Sequence, residues 1–330
     1  MSSPISRRTF ITSVSSAAAV GAFARGGFPG LSAAAPSTKV AIVRTSDRKK
    51  GVADVVRLLN APGPKGKDVV IKPNFNSADP TPGSTHNDTL RQLMAELLER
   101  DARTLTIGER SGPPLTKKVM EDKGVYDLAH EMKASIVNFE DLADADWVPV
   151  TPTGTHWTSQ LYVPRLMAQA PYLVSTCCLK THGFGGVYSM SVKLAVGTTP
   201  KRLMREMHGN REHMRRMIAE INTGFRQSLI VMDGVDVFVD GGPSQGKLAA
   251  ANVLVGGTDR IAVDAVGLAI LKEMGANAAI MDRKIFEQEQ MQRAIELGLG
   301  ISKPDQIELV AGDEPSRAFA ARLKARLTEG

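Results

Sequence analysis

Apolar runs too short to be helices recur along this chain with helix-periodic segments between them, and that alternation constrains the fold more than any other feature. Lys39-Val40-Ala41-Ile42-Val43-Arg44, Asp68-Val69-Val70-Ile71, Thr104-Leu105-Thr106-Ile107, Tyr172 to Cys178, Ser228 to Met232, Ala251 to Val255 and Ile307 to Val310 read as buried strands. Helical spacing covers Val52 to Leu59, then Leu90, Leu93, Met94, Leu97 and Leu98 behind a cap at Asn87 or Asp88. It returns at Ala262 to Ala269 behind Asp259, near Phe286 to Leu297, and at the C-terminus. Val163 to Met167 opens a short helix, and Ala134 to Tyr162 is irregular. Buried strands alternating with helices predict an α/β fold: a mostly parallel sheet with helices on both faces and right-handed crossovers. Residues 36–330 read as one such domain, with room for two lobes. Within it, 201–222 is a basic, Met-rich helical insertion.

The first 35 residues stand apart. Ser6-Arg7-Arg8-Thr9-Phe10-Ile11-Thr12 precedes a weakly apolar Ala/Val/Gly stretch and small residues at Ser32 to Ala35, the pattern of a twin-arginine signal. That pattern implies the twin-arginine translocase as a partner and a periplasmic or extracytoplasmic destination. An uncleaved signal would anchor the protein to the membrane; otherwise the mature chain has no apolar stretch long enough to span one. Three arginines in this segment, Arg7, Arg8 and Arg25, take the formal charge from +3 to +6. The remainder has no Lys/Arg run interleaved with aromatics, which argues against nucleic acid as a partner. Twin-arginine export carries folded proteins, so a metal or metal-containing cofactor is a candidate passenger. The two cysteines, Cys177 and Cys178, cannot supply an iron–sulfur cluster of the four-cysteine type. Side chains alternate along a strand, so this adjacent pair reads as core.

Several apolar runs end in polar residues followed by Gly or Pro: Lys72-Pro73-Asn74, Glu109-Arg110, Lys180-Thr181-His182 and Asp233-Gly234. In a parallel sheet such ends meet along one edge, where open α/β folds bind ligands. Lys72, Lys180 and Lys193 offer positive charge to a carboxylate or phosphate, and Asn74 offers both a donor and an acceptor. His182 is a candidate acid/base or metal ligand. Gly185 and Gly186 let backbone amides approach an anion. Asp233 completes the set. Each also has a plain structural reading: Lys72-Pro73-Asn74 as a turn, His182 as a core histidine, Asp233 as a turn cap, and Asp259 and Asp264 as helix caps. The spacing matches no dinucleotide fingerprint, P-loop or HExxH zinc motif.

At Ile71-Lys72-Pro73-Asn74, Leu179-Lys180-Thr181-His182, Asp233-Gly234 with Gly242-Pro243 and Gly246, and Ala262-Val263-Asp264-Ala265-Val266, the chain resembles the domain-of-unknown-function 362 family, from about Val40 to Gly300. Leu194 stands where that family's pattern carries Asn, and the ferredoxin-like module of many relatives is ruled out by the cysteine count. The block from Val163 to Gly197 also resembles nickel-pincer lactate racemases. That resemblance implies an acid/base role for His182 and a cofactor-tethering role for Lys193. The chain departs from it at Ala170-Pro171 and at Glu109-Arg110, which implies a shared fold with different chemistry. The expectation is an exported enzyme that binds an anionic small molecule or metal cofactor in a Lys/Asn/His cleft. The alternative is a non-catalytic periplasmic ligand-binding or redox-accessory protein.

Overall fold

The structure, a computed structural model, describes residues 37–329; the expected signal at 1–35 lies outside them. The strands are β1 (Thr38–Arg44), β2 (Asp68–Lys72), β3 (Thr104–Glu109), β4 (Ser135–Asn138), β5 (Trp147–Val150), β6 (Leu161–Pro164), β7 (Tyr172–His182), β8 (Val187–Ser189), β9 (Leu229–Gly241), β10 (Gly246–Gly257) and β11 (Ile307–Val310). Nine of them form one sheet in the order β11-β1-β10-β9-β7-β2-β3-β4, with β8 folded back on β7; β5 and β6 pair separately. The sheet is mostly parallel, as the alternation predicts. β10 runs against both its neighbours, because β9 turns directly into it as a hairpin.

Every residue of β7 is buried, the expected result for a central strand covered on both faces. Alternating side chains divide the core in two. Val69, Ile71, Val174 and Val231 meet the helices Arg48–Leu59 and Asn87–Glu99, while Val70, Leu173, Ile230 and Met232 meet Arg260–Glu273 and Glu314–Glu329. Each buried Val, Leu or Ile contributes about 1.5–3 kcal/mol relative to exposure.

Two local expectations change. His86, rather than Asn87 or Asp88, caps its helix by accepting from the Asp88 amide, and Asn87 donates instead to the Lys123 carbonyl. The 201–222 segment is helical but interrupted: Asn210 to His213 separate helices Met204–Gly209 and Met214–Ile221. Met207, Met214, Met217, Ile218 and Ile221 from this segment are buried in the core.

Candidate functional site

β2 and β3 lie side by side and parallel, so their C-terminal residues meet. Lys72 Nζ donates to Glu109 Oε1 at 2.5 Å and to the Pro73 carbonyl at 2.6 Å. Glu109 also accepts from the amides of Phe75 at 2.8 Å and Arg110 at 2.7 Å. Both side chains are buried, and burial pushes the lysine pKa down and the carboxyl pKa up, each toward its neutral form. The Asn74 backbone is tied on both sides to Thr85, which fixes the polar loop following β2.

β7 continues well past this level, since Lys72 pairs with Ser175 and the strand ends only at His182. Lys180 is buried and donates to the Gly83 carbonyl at 2.6 Å; burial lowers its pKa. His182 is 8% exposed, and its Nδ1 accepts from the Phe184 amide at 3.2 Å. That bond assigns the ring proton to Nε2. Burial, and then the charges of Lys193, Lys180 and His208, push the His182 pKa down to about 2.

Lys193 reaches this place on the short helix Ser191–Leu194. Asp264 orients that helix by accepting from the Ser191 amide at 2.8 Å, the Val192 amide at 3.1 Å and the Ser191 hydroxyl at 2.5 Å. Asp264 lies inside the helix Arg260–Glu273, which Asp259 caps, and its carboxylate instead serves a helix distant in sequence. Its own burial raises its pKa to about 6. Gly186 makes room for the pair: a Cβ there would lie 2.7 Å from Lys193 Cε and 3.0 Å from His182 Nδ1. Gly185 adopts φ +79° and presents its carbonyl to Arg215 at 3.0 Å.

Burial, then Lys180, then Arg110 lower the Lys193 pKa to about 7. Arg110 is buried and donates to the carbonyls of Ser111 and Val196, but its Nε has no partner. Its pKa falls to about 10, chiefly through burial. The segment carrying Lys193 returns over the first pair, because a Cβ at Gly197 would lie 3.1 Å from both Lys72 Nζ and Glu109 Oε1. Among the described residues, no carboxylate lies within ion-pair distance of Lys180, Lys193 or Arg110.

The structure therefore brings Lys180, His182, Lys193, Gly185 and Gly186 together, with Lys72 and Asn74 along the same edge. Asp233 does not join them. β9 runs on through Gly241, so Asp233 lies within the strand rather than at its end. Its carboxylate is occupied by Arg48 Nε at 2.8 Å, Thr89 Oγ1 at 2.8 Å and the Val235 amide at 3.1 Å. Arg110 is the residue that strand-end reasoning noted without assigning to the site. The electrostatic neighbours of His182, the expected metal ligand, are Lys193, Lys180 and His208. Among the described residues no three His, Cys, Asp or Glu side chains meet as a metal centre. The open depression on the surface lies elsewhere, lined by Thr158, Ser159, Arg202, Arg205, Glu206 and Arg211 among others.

Fold and site together define a mixed α/β protein with a buried, cation-rich cluster at the carboxyl edge of its parallel strands. The family model described as "Domain of unknown function (DUF362)" matches residues 69–269, and the chain belongs to that family. A solved structure, the lactate racemase apoprotein from Thermoanaerobacterium thermosaccharolyticum, is similar over 87% of this chain and 86% of its own, at 14% identity and a TM-score of 0.45. No curated protein matches the chain.

Proposed function

We propose that this protein is an exported enzyme that binds an anionic small molecule, or a cofactor through its anionic group, beside Lys193, Lys180 and Arg110. The observation that carries this reading is the three buried or half-buried cations with no carboxylate within ion-pair distance among the described residues, of which Lys193 has only other cations as its electrostatic neighbours. Burying an uncompensated charge costs several kcal/mol, and an anion that enters the cluster supplies the compensation. The orphaned Nε–H of Arg110 and the Nε2–H of His182 add directed donors. Burial is the main cause that keeps His182 neutral, and ligand charge beside Lys193 would offset the smaller part that comes from Lys193 and Lys180, moving its pKa upward. The paired arginines at Arg7-Arg8 support twin-arginine export, and among the described residues no helix is long and apolar enough to cross a membrane.

One observation favours ligand binding without turnover: a histidine pushed to about 2 donates a hydrogen bond readily but takes up a proton poorly. The experiment that separates the two readings starts with the protein purified from the periplasm and the small molecules that accompany it, identified by mass spectrometry. Calorimetry with phosphate, pyrophosphate and short dicarboxylates then supplies affinities for the wild type and for His182→Gln. Turnover lost with affinity retained supports an enzyme. Affinity for none of these anions, together with no bound small molecule, would sink the proposal.

A further inference from the structure

Away from the strand ends, Glu220 is fully buried, and its carboxylate gathers donors from two distant parts of the chain. Arg293 Nε lies 2.9 Å from Oε1, and the His156 amide donates to Oε2 at 2.9 Å. The Thr155 hydroxyl is 3.2 Å from Oε2, and His156 Nδ1 is 2.5 Å from Oε1. A carboxylate partner fixes Nδ1 as the donor, so the neutral ring presents its lone pair at Nε2. That nitrogen has no hydrogen-bond partner among the described residues. The ring of His213 stands 4.7 Å away, centroid to centroid, and is tilted by 49°. His213 Nε2 in turn lies 3.9 Å from the Glu212 carboxylate.

We infer that His156 and His213 form a binding site for a borderline divalent cation such as Zn2+, with Glu220 as the group that orients His156. Imidazole is a preferred ligand of Zn2+, Ni2+ and Cu2+, at nitrogen–metal distances of about 2.1 Å for zinc. A histidine that donates its other ring nitrogen to a carboxylate is the usual arrangement of such a ligand, because that bond sets tautomer and orientation together. Two imidazole rings this close and tilted can converge on one ion. Glu212, carried on the residue next to His213, supplies a third ligand by a side-chain rotation, and water fills the rest. No set of three ligands is already assembled among the described residues, so the ion itself draws the site together. His213 is 38% exposed along its side chain and adjoins the open depression that includes Glu212, which gives the ion its entry path. The site links the loop before β6 to the turn between the helices Met204–Gly209 and Met214–Ile221. A bound ion would brace the basic segment against the body of the protein.

Zinc chloride titrated into tag-free protein by calorimetry provides the test. The expected result is one ion per chain, with affinity reduced at least tenfold in His213→Ala and in His156→Ala. Glu220→Gln should weaken binding by about tenfold to a hundredfold, the usual consequence of losing an orienting partner. His213 is exposed enough that its alanine variant should fold normally, which keeps the test decisive even if Glu220→Gln is unstable. Absence of saturable binding, or binding unchanged in His213→Ala, overturns the inference. Loss of zinc in His182→Ala but not in His213→Ala also overturns it, by placing the ion at the strand ends.

Discussion

Two groups of buried charges lie along the same edge of this sheet and are built on opposite principles. Lys72 and Glu109 form a closed pair, with the carboxylate also satisfied by two backbone amides. A few residues away Lys180, Lys193 and Arg110 make no ion pair with a carboxylate among the described residues, although Asp79 and Glu140 lie near enough to act on Lys180 and Arg110 electrostatically. The first group is balanced within the chain and acts as scaffold. The second is out of balance, and a cluster of like charges persists in a folded protein only when the rest of the structure outweighs it. Position on the edge is common to both, so charge balance, rather than location, separates scaffold from candidate site.

The largest expected effect comes from breaking the balanced pair. Glu109→Gln leaves the Lys72 ammonium buried without its counter-charge and should destabilise the protein by about 3–5 kcal/mol in denaturant unfolding. Lys193→Met should behave oppositely. It removes a cation that has no partner, so unfolding stability at neutral pH should stay level or rise, while affinity for an anion falls about tenfold to a hundredfold. Equal destabilisation by the two variants would erase the distinction between the groups.

A second effect sharpens the contrast through pH. The folded Lys193 pKa, about 7, lies below the ordinary lysine value of 10.5. The group therefore favours folding above the unfolded pKa, and that contribution is lost as pH falls from about 10.5 through 7. A bound anion favours the ammonium, so binding above pH 7 should take up a proton and weaken by at most about tenfold per pH unit. Lys193→Met should flatten that slope, and calorimetry in buffers of different ionisation enthalpy would count the protons directly.

Much of the fold is legible in the sequence because buried strands and amphipathic helices leave periodic marks. β7 is legible as an apolar run interrupted only by Ser175 and Thr176, and its Lys-Thr-His ending does sit at a strand end. Asp233-Gly234 misled because a Gly after an Asp reads as a turn. The alternation of Val235, Val237 and Val239 beyond it is the mark of a strand that continues, and Gly234 is there because a Cβ would lie 3.0 Å from Val253. The imbalance of charge could not be read at all. It depends on Glu109 pairing with Lys72, thirty-seven positions away, and on no carboxylate among the described residues reaching Lys193. Pairings across a sheet leave no local trace.

The two groups are joined by the segment that carries Lys193, and the smallest predicted effects probe how firmly it is placed. Gly186→Ala would push a methyl group toward Lys193 Cε, the flexible end of a side chain, so stability should change by less than about 1 kcal/mol while anion affinity falls several-fold. Asp264 works from the other side. Its folded pKa of about 6 is raised above the ordinary 3.8 by burial, so its contribution to stability is fully present below pH 3.8 and lost as pH rises through 6. Asp264→Asn should remove that fall while keeping an acceptor for one of the Ser191 and Val192 amides. The net change at neutral pH should therefore be small. Unfolding curves from about pH 4 to about pH 7 would show it as a flatter profile for the variant. An unchanged profile would mean that the acid holding the Lys193 helix is balanced like Lys72 and Glu109, which would leave Lys180, Lys193 and Arg110 as the groups of this edge without an ion-pair partner among the described residues.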